Sequence, residues 1–481
     1  MQKNQKRISN IIFSKPKQQT MNSRIFDVIK SGFLILLLVV PFMSYCLTGK
    51  HDYLITNVNI VDVKSGKIIK NKTIAIDNNR ITGIYDEKTS GSTSTVVIDG
   101  NGKYLIPGLW DMHAHYKWSH ADLDLLLIAN GITGIREMWG DMPAFVEIPK
   151  RTQQEGPVSP DVYRSGDLID GNPPSFPAGC LVVTTPEEAV DAVNKQIDKK
   201  VDFVKVYSSL SEECFMAIAM ETKKRNITFA GHIPNGVSIY KAIDAGMVSS
   251  EHLYGFLDGC ISHNNSENPP QSTRELVSRF SEKRFDSLCS VLAKSSMWIC
   301  PTLTVNRAMS YLNDSIFIND NRKAYLPGYV LEIWNQKISP YTKSQVDDFS
   351  NSSRVRYLFE LSLIGKMNEK GVKFLAGTDF PNPYVFPGFS LHDELSLMVK
   401  GGMPALDALR SATINPAIFM NKKSDFGTIE VGKLASLVLL NKNPLENIEN
   451  TKTIETVIVR GKVYNRKALD SMLEQAKSNA K

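Results

Sequence analysis

The chain has 481 residues, 42% hydrophobic and 22% charged, which allows a large buried core and excludes a wholly disordered or wholly membrane-embedded protein. Its formal net charge of +6 is carried entirely by the start, where residues 1–30 hold seven Lys and Arg against Asp27. The remainder balances 49 basic against 49 acidic residues, so no basic face argues for nucleic-acid binding.

The basic start leads into GFLILLLVVPFMSYC, residues 32–46, which is short for a membrane span and reads as the apolar stretch of an export signal. Met21 is an alternative start. Cys46 invites a lipoprotein reading, although Tyr45 fits poorly where a small residue is expected, and an uncleaved anchor is the alternative. Residues 1–46 are therefore expected to direct export to a periplasmic or other extracytoplasmic location, with membrane attachment through this segment left open. Cys180, Cys214, Cys260, Cys289 and Cys300 form no CxxC pair and are too sparse for a disulfide scaffold, so they read as buried apolar residues.

Residues 53–104 alternate apolar and polar positions between Gly and Asn turns, and the same texture returns at 427–465. Neither segment would be stable alone, so the two ends of the chain are expected to join in one small composite β-sandwich, from 47–104 and 427–465. Between them, over 105–426, eight strand-like runs alternate with helical stretches: 105–113, 131–137, 160–165, 202–207, 227–232, 247–252, 297–302 and 372–379. PEEAVDAVNKQIDKK and SEECFMAIAMETKKR typify the helices. The fold class is thus α/β, a (β/α)8 TIM barrel with the sandwich appended and a C-terminal tail at 466–481. The stretches 258–296 and 305–370 exceed ordinary connections and are expected to form a lid or rim.

Chemistry-bearing residues fall at the downstream ends of these runs, where a (β/α)8 barrel places its active site. His113 and His115 sit two apart in LIPGLWDMHAH, so both face one side of a strand and can grip one ion. Lys205, in DFVKVY, is costly in a barrel interior unless its amine is paired or neutral, and a neutral amine can take up CO2 as a carbamate. The plain alternative is a surface lysine lying along apolar neighbours. His232 in FAGHI and His252 in SSEHL follow successive strands, and neutral imidazoles suit a transition metal. Asp379 ends AGTD, beside Gly377, which permits close backbone approach; its plain alternative is a helix cap.

The motif order and wording resemble the amidohydrolase superfamily, binuclear metal-dependent subtype, and within it exported proteins similar to imidazolonepropionase and metal-dependent dipeptidases. The resemblance spans roughly 53–465 and rests on IPGLWDMHAH, FVKVYSSLSEE, AGHIPNGVSIYKAIDAGMVSSEHL, AGTD and the run from SLHDELSLMVKGG to GTIEVGKLASLVLL. It implies that His113, His115 and Asp379 bind one divalent ion and His232 and His252 a second, with carbamylated Lys205 bridging both. It further implies a bridging hydroxide as nucleophile and Asp379 as the base that passes its proton to the departing nitrogen. Zinc is the expected metal, although His and carboxylate ligands also admit Mn or Co.

Tyr207 and Tyr254 lie two positions beyond proposed ligands and are weaker candidates for substrate contact, with aromatic packing as the alternative. His392 is expected either to line the pocket or to cap a helix. The family's second strand often ends in Arg-Asp, whereas here it ends Arg136-Glu137, which leaves the acid's role open. Pro381, Pro383 and Pro387 are expected to stiffen the loop after Asp379. The favoured function is hydrolysis of a C–N bond in a peptide or cyclic amide, with a dipeptide preferred. Lactone or phosphotriester hydrolysis, a mononuclear enzyme with structural Lys205, and a non-catalytic surface binding protein are the competing readings.

Overall fold

The computed structural model describes residues 50–86, 93–116, 123–140, 159–176, 179–262, 270–338 and 342–480. The export segment proposed at 1–46 lies outside them. Among the described residues no helix is long and apolar enough to cross a membrane.

Both ends of the chain meet in one eight-stranded sheet. Its strands are β1 (Lys50–Asp62), β2 (Lys67–Asp77), β3 (Arg80–Asp86), β4 (Thr93–Asp99), β5 (Tyr104–Pro107) and, from the far end, β15 (Leu437–Leu440), β16 (Ile454–Val459) and β17 (Lys462–Asn465). The order is β17-β16-β15-β5-β1-β2-β3, with β4 parallel to β1. The sheet curls on itself, because Ile81 donates to Lys433 O and accepts from Gly432 N just before β15. Alternating inward residues such as Ile55, Ile74, Ile76, Leu105, Leu437 and Ile458 form a separate apolar core inside that curl. The composite β-structure expected from the alternation is therefore present, built from strands of both chain ends.

The barrel staves are β6 (Leu109–Ala114), β7 (Ile132–Glu137), β8 (Asp161–Arg164), β9 (Leu168–Asp170), β11 (Phe203–Val206), β12 (Thr228–Gly231), β13 (Ser249–Glu251) and β14 (Trp298–Cys300); β10 (Cys180–Val182) pairs on the outside of β9. All pair in parallel. β8 and β9 act as one broken stave against β11, through Asp202 N to Arg164 O and the Val206–Ile169 pair. The run 372–379, expected as a strand, is together with Phe380 an extended segment instead. It closes the ring by bonding β14 on one side (Leu375 N to Ile299 O) and β6 on the other (Met112 N to Ala376 O, Asp379 N to His113 O). Asp379 has φ 65°, which breaks the regular ladder at the point where the segment reaches the barrel mouth.

Helices coat the ring where the sequence places 3.6-residue periodicity. Pro186–Asp198 starts with a capping box from Thr185 and Glu188 and buries Ala189, Ala192, Val193 and Gln196. Glu212–Lys224 is capped by Ser211. Within 466–481, expected as a tail, Arg466–Asn479 forms a 14-residue helix with Asn465 as cap and Leu469 and Ala476 buried. Among the described cysteines Cys214, Cys260, Cys289 and Cys300 are buried, Cys180 is partly so, and all five are free.

Candidate functional site

The downstream ends of β6, β11, β12, β13 and the 372–380 segment converge on one cluster. His113 Nε2 lies 3.4 Å and His115 Nε2 2.8 Å from Asp379 Oδ1, and His252 Nε2 lies 3.9 Å from Asp379 Oδ2. The His113 and His252 rings are 4.7 Å apart and those of His232 and His252 4.9 Å. His113, His115 and Asp379 bring candidate ligand atoms within 4.8 Å of one another. Lys205 is 1% exposed, and its amine has no hydrogen-bond partner. All six residues expected at the centre are thus brought together.

The outer nitrogens of three rings are held. His113 Nδ1 is 2.8 Å from Glu251 Oε2, His232 Nδ1 2.8 Å from Ser208 Oγ and His252 Nδ1 2.6 Å from Thr302 Oγ1. Such contacts fix ring orientation and leave Nε2 as the nitrogen turned to the centre. Burial depresses the basicity of His113, His232 and His252, the last to about 4, so these rings are neutral donors. Burial likewise brings the Lys205 amine down to about 8, with Arg136 adding to the effect and Glu251 opposing it. For Asp379 burial acts upward, but His113 and His115 outweigh it and hold the carboxyl below the usual carboxylate range. Neutral imidazoles, an ionised carboxylate and an unpartnered buried amine form a donor set that fits divalent cations.

Backbone geometry enforces this arrangement. His252, Leu253, Thr302 and Asp379 all have φ between 46° and 65°, conformations that side-chain-bearing residues hold only when the surroundings over-determine them. A Cβ at Gly377 would lie 2.7 Å from His113 N, and one at Gly231 would lie 2.2 Å from Val206 O and 2.9 Å from Lys205 Cδ. Both close approaches require glycine.

Several buried polar residues were not singled out from the sequence. Glu251 is fully buried and receives Arg136 Nη2 at 2.8 and 3.0 Å and Ser249 Oγ at 2.6 Å, while Arg136 Nη1 reaches Ser249 Oγ at 2.7 Å. Asp111 accepts from Thr378 N (3.0 Å), Thr378 Oγ1 (2.7 Å) and His113 N (3.2 Å), stitching β6 to the residue before Asp379; burial pushes its carboxyl up to about 7. Glu394 accepts from Leu303 N (2.9 Å) and Thr304 N (2.8 Å) and so anchors the turn that carries Thr302. Glu137, whose role was open, is buried with Oε1 3.9 Å from His115 Nδ1, and it accepts from the backbone of Trp139 at 2.8 Å.

A cavity of about 290 Å3 stands over the cluster. Tyr207 and Tyr254 line it; Tyr207 stacks on His232 at 3.9 Å and Tyr254 meets the same ring edge-on at 4.9 Å. Trp139, Phe176, Met309 and Trp334 supply apolar walls. The rim draws on 305–334, and Trp334 Nε1 donates to Pro381 O at 2.8 Å; Pro381 lines the cavity, whereas Pro383 and Pro387 do not. The stretch 258–296, also expected at the rim, contributes no described residue to this lining. His392 does not reach the cavity either: it is 2% exposed and sits 3.0 Å from both Thr451 Oγ1 and Asn130 O, tying helix Phe389–Lys400 to its neighbours. That position corrects its reading as a pocket residue, because the side chain points into packing between elements rather than to the barrel mouth.

Comparison with known proteins agrees with this geometry. The bottromycin amidohydrolase structure superposes with a TM-score of 0.69 at 20% identity, over 89% of this chain and 90% of that one. A Xaa-Pro dipeptidase structure with bound methionine in the active site superposes with a TM-score of 0.62 at 21% identity, over 86% and 99%. These likenesses establish the shared barrel fold. In sequence, 104 residues are 34% identical to the Homo sapiens protein named "Probable imidazolonepropionase", covering 20% of this chain and 24% of that protein, so the match spans about a quarter of that relative. Residues 182–464, more than half of the chain, match the Amidohydrolase family. The chain belongs to that family.

Proposed function

We propose that the protein is a metal-dependent hydrolase of C–N bonds, acting on peptides with an apolar side chain at the scissile position. The observation that carries this reading is Lys205: a fully buried amine, without a hydrogen-bond partner, amid four histidines and Asp379 beneath an open cavity. At about 8, its basicity leaves an appreciable neutral fraction at neutral pH. The neutral Nζ attacks CO2, an N–C bond forms, one proton leaves, and the product is a carbamate with two oxygens.

In this assignment His113, His115 and Asp379 would hold one divalent ion and His232 and His252 a second, the Lys205 carbamate would serve both, and zinc would be the preferred metal. When bound, such ions polarise a carbonyl and acidify water at neutral pH. The protein's own residues do the rest. Asp379 accepts the proton of the attacking water and delivers it to the departing nitrogen. Glu251, Ser208 and Thr302 keep the imidazoles oriented, and the aromatic walls exclude bulk water. Tyr207 and Tyr254 contact the substrate beside His232.

The peptide preference is supported by the apolar lining and by the likeness to a Xaa-Pro dipeptidase. A screen of dipeptides, cyclic amides, lactones and phosphotriesters with metal-loaded protein tests it. Cleavage of C–N substrates with loss of activity in Asp379→Asn is the expected result, and cleavage of esters alone would overturn it. We also propose that residues 1–46 direct export, on the strength of their basic start and apolar run. Fractionation with N-terminal sequencing of the product checks this, and a cytoplasmic chain would refute it.

A further inference from the structure

A second cavity, of about 690 Å3, opens on the other side of Tyr254. Its walls come from the turns after β12 and β13, with Arg284 from helix Glu282–Lys294 and Arg356 from helix Lys343–Glu369. Tyr254 lines both cavities, and its ring rests 4.9 Å from His232 and 5.1 Å from His252. It is 38% exposed and stands on a turn where His252, Leu253 and Gly255 all have positive φ, so its position is set by the backbone. Ser208 lines the second cavity while its hydroxyl holds His232 Nδ1. An occupant of this space therefore lies one side chain away from the histidine cluster.

The guanidinium donors there are only partly used. Arg356 Nε bonds Oε1 of buried Glu360 at 2.8 Å, and Arg284 Nε bonds Gly259 O at 3.3 Å. The terminal nitrogens of both guanidiniums make no further hydrogen bond among the described residues, so they keep donors for a ligand. Glu360 pairs with Arg356 and Asp258 is the one acid among the described lining residues, so the two guanidiniums are balanced in charge and what they offer a ligand is their spare donors. A guanidinium presents paired donors that match a carboxylate.

We propose that this second cavity binds the C-terminal carboxylate of a peptide or acylated amino acid whose scissile bond lies over the cluster, the chain of the substrate passing Tyr254. This rests on the hydrolase reading above, and it narrows the substrate class to ligands with a free carboxylate long enough to span both cavities. Arg284 and Arg356 are the specificity-determining residues.

The test is calorimetric binding, which does not depend on turnover. The probe is a tripeptide analogue with its first amide reduced to CH2–NH, compared with the same analogue carrying a C-terminal carboxamide. Wild-type protein is expected to bind the acid about 10- to 100-fold more tightly than the amide, the range for hydrogen bonds to charged groups. Arg284→Gln, which forfeits only a long backbone contact, should bind the two alike, with unchanged melting and metal content. Arg356→Gln should do the same but melt lower, because Glu360 is left without its partner. Equal binding of acid and amide by the wild type, failure to bind either, or full preference for the acid in Arg284→Gln each overturns the proposal. Peptide hydrolysis measured in parallel reports on the hydrolase reading separately, since the acid preference can persist without turnover and turnover without the preference.

Discussion

Replacing Glu251 with Gln separates its part in the barrel interior from its part in orienting His113. Arg136 and Glu251 are both fully buried, joined by two contacts of 2.8 and 3.0 Å, and Glu251 also carries Ser249 Oγ and His113 Nδ1. Removing one member of a buried pair strands the other's charge, at a cost of about 3–5 kcal/mol. That is a large part of the ~5–15 kcal/mol that usually separates folded from unfolded protein. Independently, the carboxylate no longer fixes His113, and loss of such an outer contact lowers metal affinity by roughly 10- to 100-fold. Arg136→Met combined with Glu251→Gln removes both charges and should recover most of the lost stability, yet leave metal affinity low. Denaturant melts of metal-stripped proteins and chelator competition on refolded ones read the two effects. A Glu251→Gln protein that melts like wild type would refute the energetic argument, and a double variant with wild-type metal affinity would refute the positioning argument.

Other expectations follow from the same cluster. Lys205 is depressed in the folded state from 10.5 to about 8, so the folded form binds fewer protons than the unfolded one between those values, and stability of the unmodified apoprotein rises as pH climbs from about 8 to 10.5. Lys205→Met should therefore stabilise the apoprotein at pH 7 by ~3 kcal/mol, with the gain gone near pH 10.5; melts at both pH values check this, and a pH-independent difference contradicts it. Asp379→Asn should lower kcat by about 10²- to 10⁴-fold through loss of the proton acceptor, with the fold intact by circular dichroism. Gly231→Ala should destabilise by about 1–3 kcal/mol and displace Lys205, lowering metal affinity, because its Cβ would meet Val206 O and the lysine stem; wild-type melting and metal binding would show that the close approach yields.

The central residues were legible because histidine is scarce, eight in the chain, and four of the eight end strand-like runs in barrel order. The outer partners were not, for a geometric reason. Period-two alternation sends Glu251 and His252 to opposite faces, yet His252 leaves the strand with φ 59° and both side chains reach the centre. Asp111 shares parity with His113 but is an ordinary acid without the contact to Thr378, which lies 267 residues away and only folding supplies. The 372–380 run has strand-like composition but serves two neighbours with few bonds each, so no ladder forms. The terminal helix was readable in principle: Asn465 is a good cap, and Leu469, Met472, Leu473 and Ala476 recur at helical spacing. The rim was half legible, since length alone marked both 258–296 and 305–370, and only packing of Trp334 against the loop after Asp379 decides which one covers the cleft.

Metal content per chain, by elemental analysis of protein purified without chelators and supplied with bicarbonate, tests the assignment of the cluster most directly. About two transition-metal ions are expected in the wild type and one or fewer in Lys205→Ala, with partial rescue of the second ion by small carboxylates. A wild type that holds one ion or none, or a Lys205→Ala variant that holds two with undiminished affinity, would contradict it.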